Sequence, residues 1–543
     1  MKKYFTLLLI TTIFQLIPFT KVVAYAVLGG EITWQCLGNG QFIFRLTIFR
    51  DCGGPALPQS LQIETSVPGI PFIVVDKIAQ NDLSTTGFQA NGASSCPTCA
   101  GGGNPYTGIV DENIFESVPI TLNGVPPPPG WWFFNDLCCR NGTLDNLNSI
   151  TSTGIRVISK MFAYNNQNAF PCYDTSPYFV EPPALFICGG QPAALQYLNI
   201  DDDDDFLTYK FTDAISDLGI PIPFINGYTT ENPLPGPAQN PSNTVMSLDT
   251  LNGETLFTVN TLGNYNMNMR VTAYRNGTKI SETLRVHDFY IYTNCPTVSG
   301  SQPNLFPSGT APFADPATGL FTSYKDTVLA GSSITFQKMI TDFDYFQNGT
   351  AQEIRLTGGG NQFGDNFTNA STGCLYPPCA VLNDPLPKIF SFLYTSNFSW
   401  TTSNAHLASS GPLQAKTWYF LLRAMDNYCP APGMHARIAS ITVVNSLSGL
   451  NEQEEITNMT IYPNPVTSES FEISWSSISQ KPLSVTISDI TGREILRTSL
   501  TQTAGKNKAT ITLPKTANGM YLLQAKSASG YVKKMKVVNY VVN

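Results

Sequence analysis

The chain has 543 residues, room for several domains at roughly 150 residues each, and its charged fraction of 13% is about half the ordinary ~25%. A net charge of −8 argues against nucleic acid or an anionic membrane as partner, because both need basic patches. Helical heptads and long Ala/Glu/Lys/Leu runs are absent, and an Asn-, Ser-, Thr- and Gln-rich surface with 11% aromatic residues suits an exported β-protein.

At the amino end, Lys2 and Lys3 precede an apolar run from Tyr4 to Phe19, and Ala24-Tyr25-Ala26 forms an A-x-A cleavage site. This pattern predicts a signal peptide over 1–26 and a mature chain starting at Val27. Thr11, Thr12 and Gln15 interrupt the run, and nothing later reaches the ~20 apolar residues of a spanning helix. No transmembrane segment is therefore expected after the signal peptide. The charge divides unevenly: Val27–Glu455 holds 18 basic and 35 acidic residues, whereas Ile456 onward holds ten basic and four acidic.

All twelve cysteines precede residue 430: Cys36, Cys52, Cys96, Cys99, Cys138, Cys139, Cys172, Cys188, Cys295, Cys374, Cys379 and Cys429. In an exported chain an even count reads as disulfides, worth about 2–4 kcal/mol each. Connectivity cannot be deduced from sequence, but three local expectations can be stated. Cys36 and Cys52 flank the open end of a predicted hairpin and invite a cross-strand bridge. The adjacent Cys138 and Cys139 are expected to reach different partners, and Cys374 and Cys379 to close one small loop.

The first module is expected over 27–180. Gly29-Gly30-Glu31-Ile32-Thr33-Trp34-Gln35-Cys36 leads through a Gly38-Asn39-Gly40 turn into the strand from Gln41 to Cys52. This block, with Cys138-Cys139-Arg140-Asn141, resembles the amino-terminal module of large Bacteroidetes surface proteins of the adhesin and gliding-motility type. Cys96-Pro97-Thr98-Cys99 has redox-motif spacing but precedes Gly101-Gly102-Gly103 and not the helix that would lower a thiol pKa, so structural disulfides are expected ahead of a zinc site or redox chemistry. After Pro126–Pro129, Gly130 leads into Trp131-Trp132-Phe133-Phe134, where strand alternation places one aromatic pair on each face. One pair fills the core; the other packs on a neighbouring domain or presents a stacking platform for sugars.

A second module is expected over 181–297, an immunoglobulin- or cadherin-like β-sandwich. Its Ile200 to Tyr209 segment resembles the D-P-D-G-D-x-L-T-Y element of cadherin-like surface modules, with Asp at the family's Pro and Gly positions. Five successive carboxylates repel unless solvated or neutralised. In extended geometry Asp201, Asp203 and Asp205 project to one side, where a hard cation such as Ca2+ would suit them. Phe206 occupies the Gly position of the helix-loop-helix calcium motif, so any calcium site needs a ligand from another loop; the alternative is a hydrated acidic turn. A third module, over 298–446, carries a shorter Asp342-Phe343-Asp344 and ends in the runs Trp418–Cys429 and Ile438–Val444. Residues 447–455 read as a polar linker.

From residue 456 to 543 the chain alternates in short β-runs such as Phe471-Glu472-Ile473-Ser474-Trp475 and Leu483-Ser484-Val485-Thr486-Ile487. Tyr462-Pro463-Asn464-Pro465, then Asp489 and Gly492, then Gly519, Tyr521, Lys533 and Lys534 stand in blocks that closely resemble the type A sorting domain of the Bacteroidetes type IX secretion system. That resemblance implies passage across the outer membrane, secretion or surface display, and the secretion machinery as a partner.

Enzyme chemistry finds little support. His287, His406 and His435 are the only histidines, none in a metal-binding pair, and no nucleophile elbow or phosphate loop occurs. The expected architecture is all-β: tandem immunoglobulin-like β-sandwich domains followed by a C-terminal β-sandwich sorting domain. The expected function is adhesin-like binding of a surface glycan, matrix or cell-surface ligand, not catalysis. A passive surface or matrix component is the alternative, and a secreted polysaccharide hydrolase a more distant one.

Overall fold

The computed structural model describes residues 26–84, 99, 109–140, 144–148, 153–165, 172, 174–292, 303–346, 348–409, 414–428, 431–446, 456–477, 480, 482–489, 493–514, 518–527 and 532–540. The signal peptide up to residue 25, Cys96, Cys295, Cys429, Gly492 and the 447–455 linker lie outside them. The protein is all-β; the described residues include the short 3-10 segments Asp365–Phe367 and Asn404–His406. No described helix is long and apolar enough to cross a membrane. Two compact units result, Met1–Leu407 with Lys416–Val443, and Ala408–Ala415 with Val444–Asn543.

In the first unit the predicted hairpin forms, Val27–Cys36 against Gln41–Asp51, in the register Trp34 opposite Phe44. Pairing then continues through the strands Val110–Glu116, Phe72–Asp82, Ser60–Thr65, Trp131–Leu137, Ile155–Met161, Thr278–Tyr292, Gly263–Arg275 and Phe206–Thr212. The Thr278–Tyr292 strand also returns to the first one, Gly29 opposite His287. Trp34, Phe44, Phe115, Trp131, Phe133, Val157 and Val286 meet in the enclosed core.

The expected boundary between residues 180 and 181 is therefore crossed by one continuous sheet. The cause is a close approach that Gly29 permits: a Cβ there would sit 2.0 Å from the carbonyl oxygen of Val286. A pairing between strands some 250 positions apart leaves no local periodicity to read. Buried Arg–carboxylate pairs cross the same boundary, Arg140 to Asp288 at 2.6 Å and Arg285 to Glu31 at 2.5 Å.

Residues 303–444 fold as two facing sheets. One holds Ser333–Asp342 and Phe392–Thr401, the other Lys416–Asp426 and Met434–Val444. Between them Phe336 stacks on Phe398 at 4.5 Å and Phe398 meets Phe420 edge-on at 4.9 Å. Leu198 of the preceding module packs with Leu421, Ala436 and Ile438, so these modules also share buried surface.

The bridges depart from two of the local expectations. Cys36 pairs with Cys172 and Cys52 with Cys99, so neither closes the hairpin on itself. The register gives the reason: Cys36 lies opposite Phe42 beside the turn, whereas Cys52 follows Asp51 at the far end of the hairpin, so each thiol meets a loop arriving from elsewhere. Cys138 and Cys139 pair with each other instead of reaching separate partners. Cys374 and Cys379 close the small loop, and Cys188 is also bridged. Because Cys99 is committed to Cys52, the C-x-x-C spacing does not form a closed redox pair.

Candidate functional site: an acidic joint, an aromatic face and a sorting unit

The five-Asp run is neither extended nor simply hydrated. It turns tightly, with Asp204 at φ +64°, and Asp201 Oδ1 accepts from the backbone N–H groups of Asp203 and Asp205 at 3.1 and 3.0 Å. Asp201 is 2% exposed. Asp174, far upstream in sequence and 1% exposed, joins the cluster. Arg275 enters from the Gly263–Arg275 strand, 2.7 Å from Asp205, 3.5 Å from Asp203 and 3.7 Å from Asp174. One guanidinium thus faces several carboxylates. Both Asp174 carboxylate oxygens and Asp201 Oδ2 are buried without a hydrogen-bond partner. Burial, then the neighbouring carboxylates, hold Asp174 well above the usual carboxylate range; burial pushes Asp201 up to about 7.

The same turn is a joint. Asp204 pairs with Lys416 of the next module and accepts from the Tyr376 hydroxyl at 3.3 Å. Asn361 donates its side-chain amide to the carbonyl of Asp201 at 3.1 Å. Sequence reading singled out Asp201, Asp203 and Asp205 but missed Asp174, Arg275 and Lys416, which no spacing rule connects to them. Among the described residues no three His, Cys, Asp or Glu side chains already sit at metal-holding spacing.

The Trp131–Phe134 run alternates as predicted. Trp131 and Phe133 lie in the core at 2% and 0% exposure, while Trp132 turns outward at 39%. The outward rings are met by cations from the neighbouring strand, Lys160 Nζ 4.7 Å from Trp132 and Arg156 4.3 Å from Phe134. Arg156 is itself fixed by Asp136 at 2.6 Å. Glu64 stands in register between Phe72 and Phe134, and Phe72, Val74 and Ile78 are exposed on the neighbouring strand. Trp132 and Phe134 are thus part of a broad outward face. Its Phe72–Ile78 portion was not singled out in the sequence, although the unbroken apolar run Phe72-Ile73-Val74-Val75 carries a strand signal.

All three histidines are buried or half-buried. His287 bonds Tyr197 Oη at 2.9 Å, His406 sits against Trp400, and His435 Nδ1 accepts from the Leu305 N–H at 3.1 Å.

The second unit has its own core, with Phe471, Ile473, Trp475, Val485, Ile487, Tyr521, Leu523 and Val537 contributing and no residue before Ile456. Two sheets enclose it, one on the strands Ile456–Tyr462, Ser470–Ser477 and Gly505–Thr512, the other on Glu494–Leu500, Leu483–Asp489, Gly519–Lys526 and Val532–Asn539. The Tyr462-Pro463-Asn464-Pro465 segment is pinned to the last strand: Asn464 donates to the carbonyl of Lys536 at 2.9 Å and accepts from the N–H of Val538 at 2.9 Å. Tyr462 itself is 76% exposed. Asp489 pairs with Arg493 at 3.1 Å, Tyr521 stands opposite both Asp489 and Val537, and Gly519 opens its strand opposite Asn539. Lys533 and Lys534 lie on the edge strand Val532–Asn539, a placement that guards an open sheet edge against further pairing.

Residues 460–539 match the family described as "Secretion system C-terminal sorting domain". Residues 460–539 thus form a type IX secretion sorting domain, which implies a secreted protein. No curated protein matches it. Among solved structures the chain is similar to the dimeric latent PorU from Porphyromonas gingivalis, at 15% identity over 70% of this chain and 34% of that one, with a TM-score of 0.15. It is also similar to the BSP domain of a biofilm associated protein, at 8% identity over 97% of this chain and 100% of that one, with a TM-score of 0.13. The chain thus spans about a third of the length of the latent PorU chain, 34%.

Proposed function

We propose that residues 27–446 form an adhesin-like binding body displayed at or released from the cell surface, with the sorting unit serving export and attachment. The observation that carries this reading is the outward face of Trp132, Phe134, Phe72, Val74 and Ile78, edged by Lys160 and Arg156. Large apolar rings left in water on a rigid sheet, rimmed by charge, are the usual mark of an interaction surface. Flat rings of this kind suit the C–H faces of sugars, and the adjoining cations suit acidic substituents on them. The reading is of a glycan or matrix binder and not of an enzyme.

The acidic joint supports a second element of the proposal. The free oxygens of Asp174 and Asp201 fit a hard cation such as Ca2+ beside Arg275, with Asp174 as the ligand from another loop. Such an ion would stiffen the junction that Asp204 and Lys416 already bridge.

The test is a glycan and matrix-protein array probed with the mature protein and with Trp132→Ala. Binding to a defined glycan class that the variant loses supports the reading. Repeated absence of any hit favours a passive surface component, and polymer hydrolysis lost on changing a carboxylate pair favours an enzyme.

A further inference from the structure

The third module repeats the unusual feature of the acidic joint at Asp342, with which no arginine forms an ion pair among the described residues; the nearby Arg437 pairs with Glu254 at 3.9 Å. Asp342 ends the Ser333–Asp342 strand, and its Oδ1 accepts from the backbone N–H of Asp344 at 3.1 Å. This is the same one-oxygen tether that Asp201 makes to Asp203. The other oxygen, Oδ2, is buried and has no hydrogen-bond partner, in a residue only 3% exposed. Asp426, 5% exposed, closes the opposite strand and faces the pair; it accepts from the N–H groups of Tyr428 and Gly433 at 2.9 Å each. Neither Asp342 nor Asp426 enters an ion pair among the described residues.

We propose that Asp342, Asp344 and Asp426 form a binding site for a hard divalent cation, of which Ca2+ is the best fit. Carboxylate oxygens are the ligands such an ion selects, and an unmatched carboxylate oxygen in a dry site is costly unless an ion or proton answers it. Gln352 adds a neutral oxygen close by: its backbone N–H donates to the Asp344 carbonyl at 3.1 Å, and its side-chain Oε1 is buried without a partner. Thr341, Asp342 and Phe343 line a cavity with Asn304 and Arg437, which supplies a route from solvent. The electrostatics agree with the geometry. Burial comes first and the neighbouring carboxylates follow in raising Asp426 well above the usual range, and burial moves Asp342 up to about 6. Among the described residues these carboxylates are not already at metal-holding spacing, so binding draws the free Asp342 oxygen and Asp344 toward Asp426.

This site is independent of the proposed ion at Asp174 and Asp201, and the experiment separates them. Chelator-treated mature protein is titrated calorimetrically with CaCl2 alone, alongside Asp342→Asn and Asp174→Asn. Asn keeps the oxygen that holds the turn, so folding of each variant is checked by its far-UV spectrum and by cooperative melting without calcium. The expected result is that Asp342→Asn binds one ion fewer per chain than the parent and that Asp174→Asn leaves this ion in place. A calcium stoichiometry unchanged in Asp342→Asn, or no calcium binding by the parent, overturns the proposal. Loss of an ion in Asp174→Asn alone would sustain the first site and reject this one.

Discussion

Arg285 donates to Glu31 at 2.5 Å across 254 residues of chain, with both side chains nearly out of solvent. The guanidinium also lies 3.8 Å from the Phe179 ring and donates to the Glu181 carbonyl at 2.6 Å. This knot fastens the last long strand of the sheet to the first.

Removing one partner from such a buried pair strands a charge, at a cost of about 3–5 kcal/mol. Glu31→Gln is therefore expected to lower the stability of the first unit by that order in denaturant melts. Lys325→Ala, which breaks an ion pair to Asp249 from a lysine 72% exposed, is expected to cost less than about 1 kcal/mol. Equal effects from the two changes would contradict the assignment of the sheet as one body.

The two buried histidines of the same unit weaken it as acid is added, against the raised carboxyl groups Asp201 and Asp342, which act in the opposite direction. His287 is fully enclosed, and burial followed by the Arg285 charge lowers its pKa from 6.5 to about 3; His435 falls to about 4, mainly by burial. Between about pH 6.5 and 3 the unfolded chain binds protons that the folded one refuses. Stability contributed by these groups is thus complete above the unfolded value and falls as pH drops through that window. Melting at stepped pH is expected to show the parent losing stability relative to a His287→Asn, His435→Asn double variant as pH falls through that window. An unchanged slope in that variant would assign the acid response to other groups.

The disulfides should rank by the loops they close. Cys36–Cys172 spans 136 residues and Cys374–Cys379 only 5. Chain-entropy reasoning gives losses of about 5 and about 2 kcal/mol on replacing each pair with Ser. Denaturant titrations of the two double variants check the order, and a reversed order would show that native contacts, not unfolded-state freedom, dominate.

The two adjacent tryptophans provide an internal contrast. Trp131→Ala empties core volume and is expected to cost about 3–5 kcal/mol, whereas Trp132→Ala should leave the melt within about 1 kcal/mol of the parent. If Trp132→Ala melts like Trp131→Ala, its outward ring is part of the core after all and not a free face.

What the sequence disclosed and what it concealed divide along contact distance. The Gly38-Asn39-Gly40 hairpin, the alternation of Trp131 to Phe134 and the strands after Ile456 are local patterns, and each appears in the structure. The Cys36–Cys172 bridge, the Arg285–Glu31 pair and the arrival of Asp174 and Arg275 among the aspartates join segments 27 to 254 residues apart. Periodicity does not carry such pairings. The expected cut after residue 180 failed for the same reason: Gly29 in the first strand admits a partner that follows much later in the chain.

The most direct measurement concerns the final unit. Residues 456–543, fused behind a signal peptide and a reporter in a cell with a working type IX system, are expected to carry the reporter past the outer membrane, and the same fusion lacking 456–543 to stay inside. A reporter held in the periplasm by the complete fusion would contradict the claim that this cysteine-free module directs export.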